Sequence, residues 1–146
     1  MTKVINSLKF MYNMERFATE IYRTQRSAFV EKEIADRLSA AADNEQQHAD
    51  NLQERILALN KAPSRLGFLF QIAGRLLGLV TKSLGKIFIL KTDIRIEKCA
   101  IKDYRSFLGK VEFDKKSVGL IERIIADEVR HVETWENSIE MLEGKS

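Results

Sequence analysis

Two short stretches decide the fold of this 146-residue chain, Glu45-Gln46-Gln47-His48 and Glu128-Val129-Arg130-His131. Each is a Glu-x-x-His pair, and residues at positions i and i+3 project from one face of an α-helix. The two pairs contain both histidines of the chain. A carboxylate and an imidazole on one helix face form half of a dinuclear site in a helical bundle, so the pairs predict a bundle built around a metal centre.

Apolar residues surround both pairs at the 3.6-residue period of a helix with one buried face. The stripe around the first pair is Ile34, Leu38, Ala41, Glu45, His48, Leu52, Ile56 and Leu59. The stripe around the second is Ile121, Ile125, Glu128, His131, Trp135, Ile139 and Leu142. Two further stripes are Leu8, Met11, Glu15, Ala18 and Tyr22, and Leu90, Ile94, Glu97, Ile101, Tyr104 and Leu108. Each of four predicted helices therefore directs one glutamate inward.

The four helices are predicted at about 3–29, 32–60, 84–109 and 114–143, within one all-α domain over 1–146. Pro63 and Gly109 supply stop signals at two of the breaks. Short connections join the first helix to the second and the third to the fourth, which gives two antiparallel hairpins. An apolar, basic crossover at about 61–83 is long enough to connect the hairpins from end to end.

The four inward glutamates are expected at one level of the bundle. Glu15 and Glu45 lie 15 residues on either side of a turn near Val30, which is about 22 Å at 1.5 Å per residue. Glu97 and Glu128 stand in nearly the same relation to a turn near Glu112. Four buried carboxylates would repel one another strongly, and the inward stripes offer no Lys or Arg to balance them. Two divalent cations would balance the four negative charges. We therefore predict these metal ligands: Glu15, Glu45, His48, Glu97, Glu128 and His131.

The composition restricts the cofactor and the compartment. Cys99 is the only cysteine, which excludes internal disulfides, Cys-rich zinc sites and iron centres built from paired thiolates. No signal peptide is recognisable at the N-terminus, so a cytoplasmic protein is expected. No flavin or nicotinamide fingerprint is present, and electrons would have to come from an external donor.

The middle of the chain is basic and apolar. Residues 55–92 hold seven Lys or Arg and no Asp or Glu. Their longest uncharged run, 66–74, is too short to span a bilayer, which needs about twenty apolar residues. Two alternatives remain for residues 66–90, a peripheral position on the inner face of a membrane and packing against the bundle or a second subunit of a homodimer. No nucleic-acid-binding signature is present.

The run from Glu15 to Gln25, together with both Glu-x-x-His pairs and Glu97, resembles the di-iron pattern of the ferritin-like superfamily. It is most similar to the demethoxyubiquinone hydroxylases of ubiquinone biosynthesis, and also similar to rubrerythrin. The resemblance implies a ferritin-like four-helix bundle holding two iron ions, with manganese as the alternative metal. It further implies Glu45 and Glu128 as bridging ligands, Glu15 and Glu97 as terminal ligands, and one histidine for each metal.

The function implied by the resemblance is O2-dependent hydroxylation of an apolar, quinone-like substrate, with the six ligands acting through the metals. The alternative is a rubrerythrin-like or ferritin-like protein that acts as peroxidase, ferroxidase or iron store. Rubrerythrin-like sites use an additional glutamate three residues from the third-helix ligand. Ile94 and Ala100 occupy those positions here, which favours the hydroxylase.

Three residues near the pattern have less specific roles. Tyr22 and Tyr104 each follow an inward glutamate by seven residues. They either pack in the core, as we favour, or bind a ligand carboxylate or serve in electron transfer. Trp135 is expected in the core. Cys99 lies about 200° around the helix from Glu97 and is expected to be a small buried apolar residue and not a ligand.

Overall fold

The computed structural model describes residues 1–144 and consists of helices joined by short connections. They are α1 (Thr2–Gln25), a 3₁₀ turn (Arg26–Ala28), α2 (Lys32–Ala58), α3 (Gly67–Lys82), α4 (Lys86–Lys110) and α5 (Lys115–Leu142). The four predicted helices correspond to α1, α2, α4 and α5, with ends within a few residues of the predicted ones. The all-α prediction is thus confirmed, with α1–α2 and α4–α5 as the two hairpins.

Local chemistry explains several of the helix ends. Asp114 caps α5, because its side chain accepts hydrogen bonds from the backbone N–H groups of Lys116 and Ser117. Asn60 follows α2 with a positive φ of 57°, a left-handed conformation that asparagine tolerates and that ends a helix. Gly85, with φ 98°, makes the sharp turn from α3 into α4.

Helix α3 is the element that the four-helix pattern does not predict, since the crossover was expected only as an apolar connection. It packs on α1 through three buried glycines, Gly67, Gly74 and Gly78. A Cβ at Gly74 would lie 2.2 Å from the Phe17 carbonyl oxygen, so only glycine permits this approach. The glycines therefore join α3 to the bundle closely.

The outer face of α3 is apolar and exposed. Its large side chains there are Phe68, Leu69, Ile72, Leu76, Leu79 and Val80, all more than 40% exposed. One face of α3 thus packs on the bundle, as the second alternative for the crossover predicts, and the other face is left uncovered in the single chain. Among residues 1–144, no helix combines the length and hydropathy that crossing a bilayer requires.

The core stripes lie as the periodicity predicts. Ile34, Leu38, Leu52 and Ile56 are fully buried, and Trp135 is buried with them. The prediction for Cys99 was wrong, because this side chain is exposed. Glu97 faces the bundle interior, so a residue about 200° around α4 faces solvent.

Candidate metal centre

All six predicted site residues meet at the centre of the bundle, one glutamate from each of α1, α2, α4 and α5 and one histidine from each of α2 and α5. The four glutamates are almost inaccessible to solvent, and the histidines are nearly so: Glu15, Glu45, Glu97, Glu128, His48 and His131. Helix α3 contributes none of them. The six side chains meet because each occupies a position on the inward stripe of its helix, where the other positions are mostly apolar.

One group of donor atoms surrounds His48. Its Nδ1 atom lies 3.3 Å from Glu15 Oε2, 3.5 Å from Glu45 Oε2 and 3.4 Å from Glu128 Oε1. Three carboxylate oxygens thus converge on one ring nitrogen. This set of one imidazole and three carboxylates is the donor chemistry that iron and manganese accept.

A second group surrounds His131 in the same way. Its Nδ1 atom lies 2.9 Å from Glu45 Oε1, 3.3 Å from Glu97 Oε1 and 3.2 Å from Glu128 Oε2. Glu45 and Glu128 therefore belong to both groups, and each gives a different oxygen to each group. Glu15 belongs only to the first group and Glu97 only to the second.

Only some of these contacts have hydrogen-bond geometry, those of His48 Nδ1 with Glu15 Oε2 and of His131 Nδ1 with Glu128 Oε2. Glu45 Oε1 is buried and receives no hydrogen bond, although it lies 2.9 Å from His131 Nδ1. Two atoms that point toward the same metal position are expected to lie close together without hydrogen-bond geometry. Within each group, one donor atom per residue lies within 4.8 Å of all the others. The residues present thus fit a metal site.

The pKa values of the buried groups also favour a compensating positive charge in the centre. Burial, followed by repulsion from Glu15, raises the pKa of Glu45, and burial with repulsion from Glu128 raises the pKa of Glu97 well above its usual value. Burial by itself would lower the pKa of each imidazole. The surrounding carboxylates, Glu128 first among them, outweigh that effect and raise the pKa of His48 and His131 to about 12. A metal bound at Nδ1 would displace that proton, so metal binding should release protons.

Two buried tyrosines hold the outer glutamates in place. Tyr22 on α1 donates a hydrogen bond to Glu97 Oε1 on α4, and Tyr104 on α4 donates one to Glu15 Oε1 on α1. The two hydrogen bonds are reciprocal, because α1 and α4 each donate one to the glutamate of the other helix. Burial and the neighbouring glutamates raise the pKa of both phenols well above the usual value, so both remain donors. The two tyrosines thus bind carboxylates of the centre while they are part of the core.

His48 has a further partner that the sequence reasoning missed. Its Nε2 atom lies 2.9 Å from Oδ2 of Asp127, which in turn receives a hydrogen bond from Arg130. A carboxylate on the outer nitrogen fixes the ring orientation and leaves Nδ1 to face the centre. Asp127 lies on α5 and His48 on α2, so no spacing in the sequence marks this pair.

A second missed feature is a buried polar cluster beside the centre. The Gln25 side-chain amide donates hydrogen bonds of 3.0 Å to Asp93 Oδ1 and to Thr81 Oγ1, which joins α1, α4 and α3. Burial raises the pKa of Asp93 to about 8, so its carboxyl is largely protonated at neutral pH. Because Asp93 precedes Glu97 by one helical turn, this cluster lies about one turn of α4 from the centre.

Comparison with solved structures identifies the class of fold. The chain aligns with the bacterioferritin-related protein from Bacteroides fragilis, described as a dodecameric thioferritin, with a TM-score of 0.75. The alignment covers 96% of this chain and 86% of that protein at 16% sequence identity. The molecule is therefore a ferritin-like helical bundle with a buried carboxylate and histidine centre.

The family follows from the sequence comparisons. Residues 12–141 match the family described as ubiquinone biosynthesis protein COQ7, and the chain belongs to that family. A 3-demethoxyubiquinol 3-hydroxylase from Dechloromonas aromatica (strain RCB) is 30% identical over 121 residues, which is 80% of this chain. The chain spans 57% of the length of that relative.

Proposed function

We propose that this chain is a di-iron oxygenase that hydroxylates a quinol of the demethoxyubiquinol type. The observation that carries the proposal is the division of Glu45 and Glu128 between the two donor groups. A carboxylate that gives one oxygen to each of two groups is suited to bridging two metal ions, and a bridged iron pair supplies the redox chemistry for activating O2. The family match supports the quinol as substrate.

The chain's own residues have distinct tasks in this proposal. Glu45, Glu128, Glu15 and His48 would hold one metal ion, and Glu45, Glu128, Glu97 and His131 would hold the other. Tyr22 and Tyr104 keep the two outer carboxylates aimed inward, and Asp127 orients His48. Hydroxylation with O2 places one oxygen atom in the substrate and reduces the other to water, which consumes two electrons and two protons. The electrons come from an external donor.

The proposal is tested by following oxygen into the product. Reduced, iron-loaded protein supplied with an electron donor and a demethoxyquinol should incorporate labelled oxygen from O2 into the ring, as measured by mass spectrometry. Glu97→Gln should abolish the incorporation, because one metal position loses a negative ligand. The matched control is Glu20→Gln, at a buried glutamate that pairs with Arg23 and Arg75 outside the centre. Equal O2 consumption without the quinol, with peroxide or ferric mineral as the product, would instead establish the ferroxidase or iron-store alternative.

We further propose that the outer face of α3 lies on the inner membrane surface, where an apolar quinol is dissolved. The face is exposed and apolar, and residues 55–92 carry only basic charges, which suits anionic lipid headgroups. Arg75 pairs with Glu20 and Lys86 with Glu31 in the single chain, so the apolar contacts should contribute most of the binding.

The membrane proposal predicts flotation of the protein with liposomes that contain anionic lipid. The double replacement Leu76→Ser and Val80→Ser should abolish flotation, because it removes exposed apolar area without touching the glycine face. Replacing Arg75, Lys82 and Lys86 together by Gln should weaken flotation mainly at low salt, since screening removes the same attraction at high salt. Wild-type protein that remains unbound at low salt would contradict the membrane proposal.

A further inference from the structure

The two sides of the centre differ in polarity, so each side suits a different kind of small molecule. On the histidine side, Asp127 and the largely exposed Arg130 cover His48 with charged groups. On the opposite side, a narrow gap between α1 and α4 leads to the centre. Met14 and Ala18 of α1 and Ile96 and Ala100 of α4 line it, and at its buried base are Glu15, Glu45, Glu97, Tyr104 and Glu128.

The gap reaches all four carboxylates and neither histidine. Its walls near the surface are apolar. An apolar lip continues along the same two helices, because Phe10 of α1 packs edge-on against Phe107 of α4 with ring centroids 5.6 Å apart. Phe10 is 40% exposed, so this lip meets the surface. An apolar ring therefore finds an apolar approach on this side and a charged one on the other.

The gap is nearly closed, with about 10 Å³ of open space. That is roughly the space needed for one water molecule, so an O2-sized molecule could enter while a six-membered ring could not. Admission of a ring requires side-chain movement. Met14 is unbranched and partly exposed, which makes it the lining residue most able to swing aside. Ala18 and Ala100 have no side-chain freedom and set the minimum width.

We propose that the quinol ring reaches the metal centre through the gap between α1 and α4, with Met14 as a movable gate and Ala18 and Ala100 as its fixed opening. This inference rests on the proposed hydroxylase function. It assigns substrate admission and size selection to residues that bind no metal. It also separates substrate entry from the exposed outer face of α3, which would collect the quinol from the membrane.

The test narrows the opening and then widens it again. Ala100→Met should lower the rate of quinol hydroxylation by at least about tenfold, because the ring can no longer reach its reacting position. Iron content, and the binding of azide to the oxidised iron followed by visible absorption, should remain at wild-type levels. Met14→Ala in the same chain should restore most of the lost rate. Ala35→Met, at another partly buried helical alanine, is the matched control and should keep full activity.

The outcomes separate this inference from the proposed function. Unchanged hydroxylation in Ala100→Met, or a loss that Met14→Ala does not restore, overturns the gap as the route. A lower iron content in Ala100→Met would show a structural effect, and Ala18→Leu then decides the question by the same measurements. Wild-type protein that binds iron and azide but hydroxylates no quinol overturns the proposed function and this inference with it.

Discussion

Replacing Glu128 by alanine should remove most of the bound metal at both positions, because this residue gives Oε1 to the His48 group and Oε2 to the His131 group. His131→Ala, which affects one group only, should remove about one of two ions. Metal analysis of protein purified without chelator measures both effects. Glu20→Ala, at a buried glutamate of α1, is the control and should keep the wild-type metal content.

Glu128→Ala should also respond to a chelator differently from wild-type protein. Metal binds the native state and offsets repulsion among four carboxylates, so a chelator should lower the melting temperature of wild-type protein. Glu128→Ala has less repulsion to offset and less metal to lose, and its melting temperature should hardly change on chelation. Full metal retention by Glu128→Ala and His131→Ala would show that these residues are not ligands.

Replacing Gly74 by alanine should destabilise the protein by about 1–3 kcal/mol or more, a typical cost of overpacking. The added Cβ would lie 2.2 Å from the Phe17 carbonyl oxygen, and backbone atoms cannot move aside as a flexible side chain can. Helix α3 must then shift away from α1. Denaturant unfolding measures the loss, and proteolysis within residues 61–84 should become faster.

Gly109 provides the control for this prediction. It lies in the last turn of α4, and a Cβ built there meets no atom within 4 Å. Gly109→Ala should therefore leave stability unchanged or raise it by up to about 1 kcal/mol, since alanine is the better helix former. Equal stability of the two alanine variants would mean that α3 does not depend on close contact with α1.

The sequence was sufficient to predict most of the fold, because each long helix carries an apolar stripe at a period that only a helix satisfies. The six centre residues could be predicted as a group because four acids and two histidines on inward stripes are costly to bury without a compensating charge. Helix α3 was not predicted. Its contact with α1 uses glycines, which have no side chain to mark a buried face, and its large apolar residues point outward.

The partners of the centre were harder to predict for a geometric reason. Asp127 reaches His48 from another helix, and Gln25 reaches Asp93 across the bundle, so neither pair has a sequence spacing that identifies it. The tyrosines were predicted mainly as core residues, because a spacing of seven places them on the inward stripe of their own helices. Only the crossing of α1 and α4 shows that each one reaches the glutamate of the other helix.

The most direct test of the account is the iron content and magnetic state of wild-type protein loaded anaerobically with ferrous iron and then oxidised. We expect about two irons per chain, with a Mössbauer spectrum of a magnetically coupled ferric pair, because Glu45 and Glu128 would be shared between the ions. One iron per chain, or two ferric ions that are magnetically independent, would contradict a bridged centre and with it the proposed function.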